Sequence, residues 1–364
     1  MAAYTTIDDP SAYFQIAMYN GQSGTQFAVT NDGNSNLQPD FIWFKDRGAG
    51  YSNAVVDTNR TRDKYLYPDS TVAEASTGNT GYDCVSFDTD GFTVGGPSAA
   101  NSTNGGTTSK VAYQWKANGG TTSSNSDGDL TSTVQFNSTA KFSIITYTAK
   151  NPIEPLDIGH GMGEIPDVVW VKNRDRSVQW GVYHKDLTSP AQNRYLGLNT
   201  DAAETANSTV WRNEAPTTSI IKTGESAILN QPDEKIIMYA WKSVQGFSKF
   251  GRYTGNGNAN GAFVFTGFKP ALLIIKNYGN SGYEWRMVDN RRSPVNEVDK
   301  FLFPNLSNAE FNGAGTSQDI DFLSNGFKIR TDNTALNGDS HKYVYFCWAE
   351  NPFVTSTGIP TTAR

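Results

Sequence analysis

The stretch PDFIWFKDR, residues 39–47, returns as PDVVWVKNR at 166–174 and as PALLIIKNY at 270–278. Each copy is a proline, followed in the first two by an aspartate, then an unbroken apolar run, then a lysine. A short run with no polar alternation describes a strand covered on both faces. Proline is tolerated at a strand's first residue, because the ladder bond it cannot donate is not needed there. The lysine is expected where the strand emerges into water. Trp43 and Trp170 correspond to Ile274, so apolar volume rather than an aromatic face is what that position requires.

A second landmark follows each block: AYQWK at 112–116, MYAWK at 238–242 and YFCWA at 345–349. From proline to tryptophan the separations are 76, 75 and 78 residues (Pro39 to Trp115, Pro166 to Trp241, Pro270 to Trp348). A tyrosine precedes each proline, at Tyr19, Tyr147 and Tyr253. DKYLYPDSTVAEAS (63–76) matches DKFLFPNLSNAEFN (299–312), and VSFDTDGFTV (85–94) matches IDFLSNGFKI (320–329). The middle copy keeps NRYLGLN (193–199) but shows APTTSIIKTG (215–224) where the others have a Gly-Phe turn. Three homologous units of about 105 residues result, each the size of a domain rather than of a solenoid repeat. The expected boundaries are 1–118, 141–244 and 245–364. Residues 119–140, rich in Ser, Thr, Asn and Gly, are expected as a linker that leaves the first unit loosely attached.

Short runs rich in Val, Ile, Phe, Tyr and Trp recur between turn clusters such as NDGNSN, DTDG and LSNG, and no long helical stripe is present. The fold class is therefore all-β: three tandem β-sandwich domains, of concanavalin-like or jelly-roll-like form. Gly91-Phe92 and Gly326-Phe327 are expected as turns in which glycine takes a positive φ before a buried aromatic. Residues 1–12 are expected either as a first edge strand or as a segment that docks on another protein.

The 364 residues carry a net charge of −6, from 36 acidic and 30 basic side chains. That balance disfavours a nucleic-acid partner, which wants a basic face. The opening MAAYTTIDDPSAYFQ lacks the basic and apolar regions of a secretory signal, and no apolar run is long enough to insert in a membrane. Cys84 and Cys347 make no disulfide framework.

Little catalytic chemistry is visible. His160, His184 and His341 fall in separate units without ligand spacing. GDSH at 338–341 precedes a final strand, as GTTSK and PDEK do, and reads as a turn. Asp57 and Asp289 correspond after strands AVVD and RMVD, with Tyr183 placed opposite them in the middle unit. A glycosidase dyad would not be distributed as repeated features, so no catalytic residue is assigned and the chain is expected not to be an enzyme. Asp88, Asp90, Asp127 and Asp129 lie in Gly-containing turns and offer only a weak case for Ca²⁺. The candidate ligand-binding residues are aromatic: Trp211, Tyr51 and Tyr283 in loops, and the paired Trp180 and Trp285. Such side chains stack on sugar rings, fill a subunit interface or cap the open end of a sandwich.

With these motifs in view, the chain resembles a family of proteins encoded by tailed bacteriophages. The resemblance rests on AYTTIDDPSAYFQ, NLQPDFIWFKDR, IGHGMGEIPDVVWVKNRD, GRYTGNGNANGAFVFTGFKPALLIIKN and DFLSNGFKIRTDNTALNG, and it covers nearly the whole chain. It implies a virion structural protein assembled in the bacterial host cytoplasm. A tail fibre or adsorption protein touching host-surface polysaccharide is the expected role, with head decoration and glycan depolymerase as alternatives. Other virion proteins, and a homotrimer of the kind fibres form, are the partners it implies. It carries no catalytic residues to transfer.

Overall fold

The computed structural model describes residues 4–23, 25–76, 84–96, 103–150, 152–313 and 318–362. Strands account for 41% and helix for 4% of the chain, so it is nearly all β. Twelve strands carry the architecture: β1 (Phe14–Asn20), β2 (Phe41–Asp46), β3 (Ala54–Asp57), β4 (Ser109–Trp115), β5 (Phe142–Thr148), β6 (Val168–Asn173), β7 (Gly181–His184), β8 (Lys235–Trp241), β9 (Ser248–Thr254), β10 (Phe268–Asn277), β11 (Arg286–Asp289) and β12 (Lys342–Pro352). They form three antiparallel sets with one order, β1-β4-β2-β3, β5-β8-β6-β7 and β9-β12-β10-β11.

The register is the same in each set. Phe14, Trp115, Phe41 and Asp57 lie abreast in the first; Phe142, Trp241, Val168 and His184 in the second; Ser248, Trp348, Leu272 and Asp289 in the third. The quoted blocks are thus β2, β6 and the body of β10, central strands buried along their length. Smaller antiparallel sheets accompany them. In the first repeat, Phe27–Val29, Gly91–Val94 and Cys84–Asp88 pair as three strands. Val29, Phe92 and Val94 of that sheet pack with Ile42, Phe44, Ala54 and Val56. In the third repeat, Phe263–Phe265, Gly326–Ile329 and Ile320–Leu323 pair in the same order. In the second, Ile220–Thr223, where the Gly-Phe turn is missing, pairs with Leu156–Gly159.

Several expectations are corrected. Lys45, Lys172 and Lys276 do not emerge into water; all three are fully buried. Their ammonium groups donate to backbone carbonyls: Lys45 to Tyr51 and Ser307 (2.5 and 2.7 Å), Lys172 to Asn173 and Arg176 (2.8 and 3.0 Å), Lys276 to Asp201 (2.8 Å) and Tyr283. Residues 119–140 are not bare linker. Ser123–Asn125 and Ser132–Asn137 extend the second set on one side, and with Arg194–Gly197 and Thr205–Ala206 on the other it becomes an eight-stranded sheet. Residues 4–12 form neither an edge strand nor a free arm. Tyr4 Oη donates to the Gly267 carbonyl (2.9 Å), Ile7 is buried, and a short turn over Pro10–Ala12 is capped by Asp9. Gly91 has φ +100°, as expected, but Gly326 does not take a positive φ. At Gly326 the reason for glycine is proximity, since a Cβ would sit 2.1 Å from the Val264 carbonyl oxygen.

The largest hydrophobic cluster is not the interior of any one repeat. It joins Phe41, Trp43 and Trp115 of the first to Phe142, Trp170 and Trp241 of the second and Phe250, Phe346 and Trp348 of the third. The rings of Trp115 and Trp348 lie 5.2 Å apart, those of Trp241 and Trp348 6.1 Å, and Phe41 meets both Trp115 and Trp241. Pairs at such separations add a favourable edge-to-face term to their area burial. The three strand sets therefore share one aromatic centre, and the first repeat is packed into it through Phe41, Trp43 and Trp115.

Candidate functional site

Around that centre the repeats meet in a closed cycle of three like junctions. Asp57 ends β3. Its Oδ2 accepts from Arg60 Nε (2.7 Å) and from Tyr239 Oη of the second repeat (2.6 Å), while its Oδ1 accepts the Asn59 and Arg60 amides. Arg60 also contacts Glu74 (3.1 Å), which Arg174 of the second repeat grips at 2.7 Å. Asp289 ends β11 and repeats the pattern. Its Oδ2 accepts from Arg292 Nε (2.5 Å) and from Tyr113 Oη of the first repeat (2.7 Å). Arg292 contacts Glu310 (3.2 Å), gripped by Arg47 of the first repeat at 2.7 Å. The Asp57–Arg60 and Asp289–Arg292 side chains are wholly buried. Buried charges persist only when paired and hydrogen-bonded, and here every member is.

The third junction lacks these charges. By register the residue abreast of Asp57 and Asp289 is His184, not Tyr183. Leu187 stands where Arg60 and Arg292 stand, and Phe346 where Tyr113 and Tyr239 stand. The His184 ring meets Phe346 edge-on at 5.2 Å, and burial pushes its pKa down to about 3. Glu204 occupies the place of Glu74 and Glu310. Its amide donates to the Tyr278 carbonyl, as those of Glu74 and Glu310 donate to Arg174 and Arg47.

The candidate aromatics fall largely into this machinery. Trp180 and Trp285 are 1% and 0% exposed. Their indoles donate across junctions to the carbonyls of Tyr67 (2.9 Å) and Gly197 (3.0 Å), which leaves no ring face for a ligand. The corresponding residue in the first repeat is Asn53, and its amide reaches the Leu306 carbonyl at 3.0 Å. Trp211, 2% exposed, sits at the end of a four-residue helical turn against Tyr183. Tyr51 and Tyr283 correspond, and their carbonyls receive Lys45 and Lys276. The Tyr51 ring is 38% exposed; that of Tyr283 is half-buried, edge-on to His341. The structure does not gather the five into one site.

A cavity of about 670 Å³ lies where the loop 303–311 of the third repeat meets the first, bordered by Gly50, Arg286, Phe303, Leu306, Glu310 and Phe311. Lys45, Asn53 and Arg47 of the first repeat hold that loop by its backbone and by Glu310. Burial drives the Glu310 pKa upward, but Arg47 and Arg292 outweigh it and keep the carboxyl below its ordinary range. The Asp-x-x-Arg spacing at 57–60 and 289–292, paired with the tyrosine of AYQW and MYAW, was the signal that marks these junctions in the sequence. Nothing local marks the cavity.

Among the turn carboxylates, Asp88 accepts from the Ser86 and Thr93 hydroxyls (2.6 and 2.7 Å) and Asp129 from the Asp157 amide (2.7 Å). Asp90 accepts from the Leu37 amide and Asp127 from Asn125. No cluster of three His, Cys, Asp or Glu suited to a metal occurs among the described residues. GDSH is a turn, with Ser340 at φ +59°. No helix among the described residues is long and apolar enough to cross a membrane.

The chain belongs to the family described as a domain of unknown function (DUF7483), whose model matches residues 9–352. Neither the curated proteins nor the solved structures contain a match to it.

Proposed function

Given a family whose description assigns no activity, we propose that the chain is a non-enzymatic structural protein of a bacteriophage virion. In this reading it is a tail-fibre or adsorption protein that presents polar loops to host-surface glycan. Each repeat is a two-layer sandwich of the concanavalin-like or jelly-roll-like class, and the three are fused into one rigid head. One observation supports this reading above others: the groups best suited to chemistry are consumed in joining the repeats. Asp57 and Asp289 are sealed behind arginine and tyrosine instead of facing a cleft. Glu310, at the border of the cavity, is held low by two arginines and so does not suit the raised-pKa acid of a glycosidase. The resemblance to tailed-phage proteins supplies the virion, and many copies on one particle supply avidity to sites of modest affinity.

The test is a reconstruction of the particle together with incubation of the purified chain on host polysaccharide. Density at the tail, with bound glycan and no reducing sugar released, is the expected result. Density on the capsid lattice makes the chain a cement protein, and release of reducing ends makes it a depolymerase.

A further inference from the structure

Arg286 has no counterpart in the other repeats. The positions abreast of it in β3 and β7 are Ala54 and Gly181. In the second repeat the equivalent space is filled, since a Cβ on Gly181 would already meet Val171 and Ile228 at 3.0 and 3.1 Å. In the third repeat a guanidinium lies there instead, bordering the 670 Å³ cavity. It rests 5.4 Å from the Phe301 ring centre and 5.6 Å from that of Phe303, so both neighbours present ring surface to it. Its Nη1 donates to Gln318 (2.5 Å), while its buried Nε has no hydrogen-bond partner among the described residues. Of the neighbouring carboxylates, Glu310 is paired with Arg47 and Arg292, while Glu284 accepts from Asn305 and is the nearest countercharge of Arg286. The Nε N–H is sealed from the cavity, so an acceptor there would meet the guanidinium through its Nη groups, for which a carboxylate is a geometric match. The rest of the wall is largely apolar, from Phe303, Leu306 and Phe311. The cavity is large enough for a sugar ring and its substituents.

We infer that this cavity binds an acidic sugar residue, with its carboxylate on Arg286 and its ring against Phe303 and Phe311. This rests on the glycan reading above and names the class of sugar. The loop that forms the cavity is pinned from the first repeat through Lys45, Asn53 and Arg47, so the site is assembled in advance by the fusion of repeats. Preorganisation of this kind lowers the ordering cost of binding.

The experiment is calorimetric titration of the full chain with glucuronate, N-acetylneuraminate, glucose and acetate. At least one sugar acid should bind, with glucose and acetate each about tenfold weaker or more, and Arg286→Gln should weaken the acid by about ten- to a hundredfold at an unchanged thermal midpoint. If Arg286→Gln fails to fold, Arg286→Lys serves: it keeps the charge, removes the planar fork and should still lose about tenfold. Equal binding of acid and neutral sugars, acid binding indifferent to Arg286, or acetate binding as well as the sugar acids overturns the inference. Neutral sugars bound in place of acids overturn it and leave the glycan reading standing. No sugar bound, with the chain on the capsid lattice, overturns both.

Discussion

Asp57 and Asp289 each bring two partners to one oxygen, an arginine from three residues on and a tyrosine from another repeat. Removing one member of such a set leaves a buried charge without compensation, whereas replacing the whole set by apolar groups is often neutral. The protein already contains the second outcome, because His184, Leu187 and Phe346 stand in the same three places. Asp57→Ala should therefore cost roughly 3–5 kcal/mol in denaturant unfolding. The triple change Asp57→His, Arg60→Leu, Tyr239→Phe should cost less than that single change; a triple variant as unstable as Asp57→Ala would refute the equivalence of the junctions. The repeat of Asp-x-x-Arg was readable in the sequence, but its purpose was not, since the tyrosines that complete each set lie 176 and 182 residues from their aspartates.

At the scale of the element, β2, β6 and β10 owe their burial on both faces to neighbours that the quoted runs do not contain. That is why the lysine at each strand's end is buried although the sequence places it at the point of emergence into water. Its ammonium is covered by a loop of its own repeat and, for Lys45 and Lys276, by a loop of another repeat. Burial lowers the pKa of Lys45, Lys172 and Lys276 to about 8. With folded values below the unfolded one, the unfolded chain binds more protons between about pH 8 and 10.4, so stability rises with pH across that window. Denaturant midpoints should climb from pH 7.5 to 9.5, and Lys276→Met should flatten the climb; an unchanged slope would mean that the lysine is solvated. The junction made by β7 and β12 behaves in the acid range. His184 is neutral in the folded chain down to about pH 3. Its unfolded form gains a proton near pH 6.5, so stability falls progressively on acidification from 6.5 towards 3. Hydrogen exchange at pH 4.5 should show His184→Phe protecting β7 and β12 relative to the parent chain, and equal exchange would count against the buried neutral imidazole.

For the whole molecule, one shared aromatic centre leads us to expect that a single repeat will not stand alone as a domain. Cutting after residue 244 would expose Phe250, Phe346 and Trp348 on one fragment and their partners on the other. Residues 245–364 expressed alone should aggregate or self-associate through that face, as size-exclusion chromatography with light scattering would reveal; a monomer with a cooperative melt near that of the full chain would contradict the shared centre. The alternation of apolar runs with Gly, Asn and Asp turns was enough to determine an all-β chain. Spacing between landmarks was enough to determine a threefold repetition, because both depend on local periodicity and on residues that every copy must keep. What only tertiary structure decided is how the copies sit together: which side chains meet across junctions, which lysines and tryptophans are sealed, and where a cavity is left. Those outcomes arise largely from contacts between different repeats, from Lys276–Asp201 at 75 positions to Arg47–Glu310 at 263, where burial and pairing are properties of the assembled surface and leave no periodic trace in the chain.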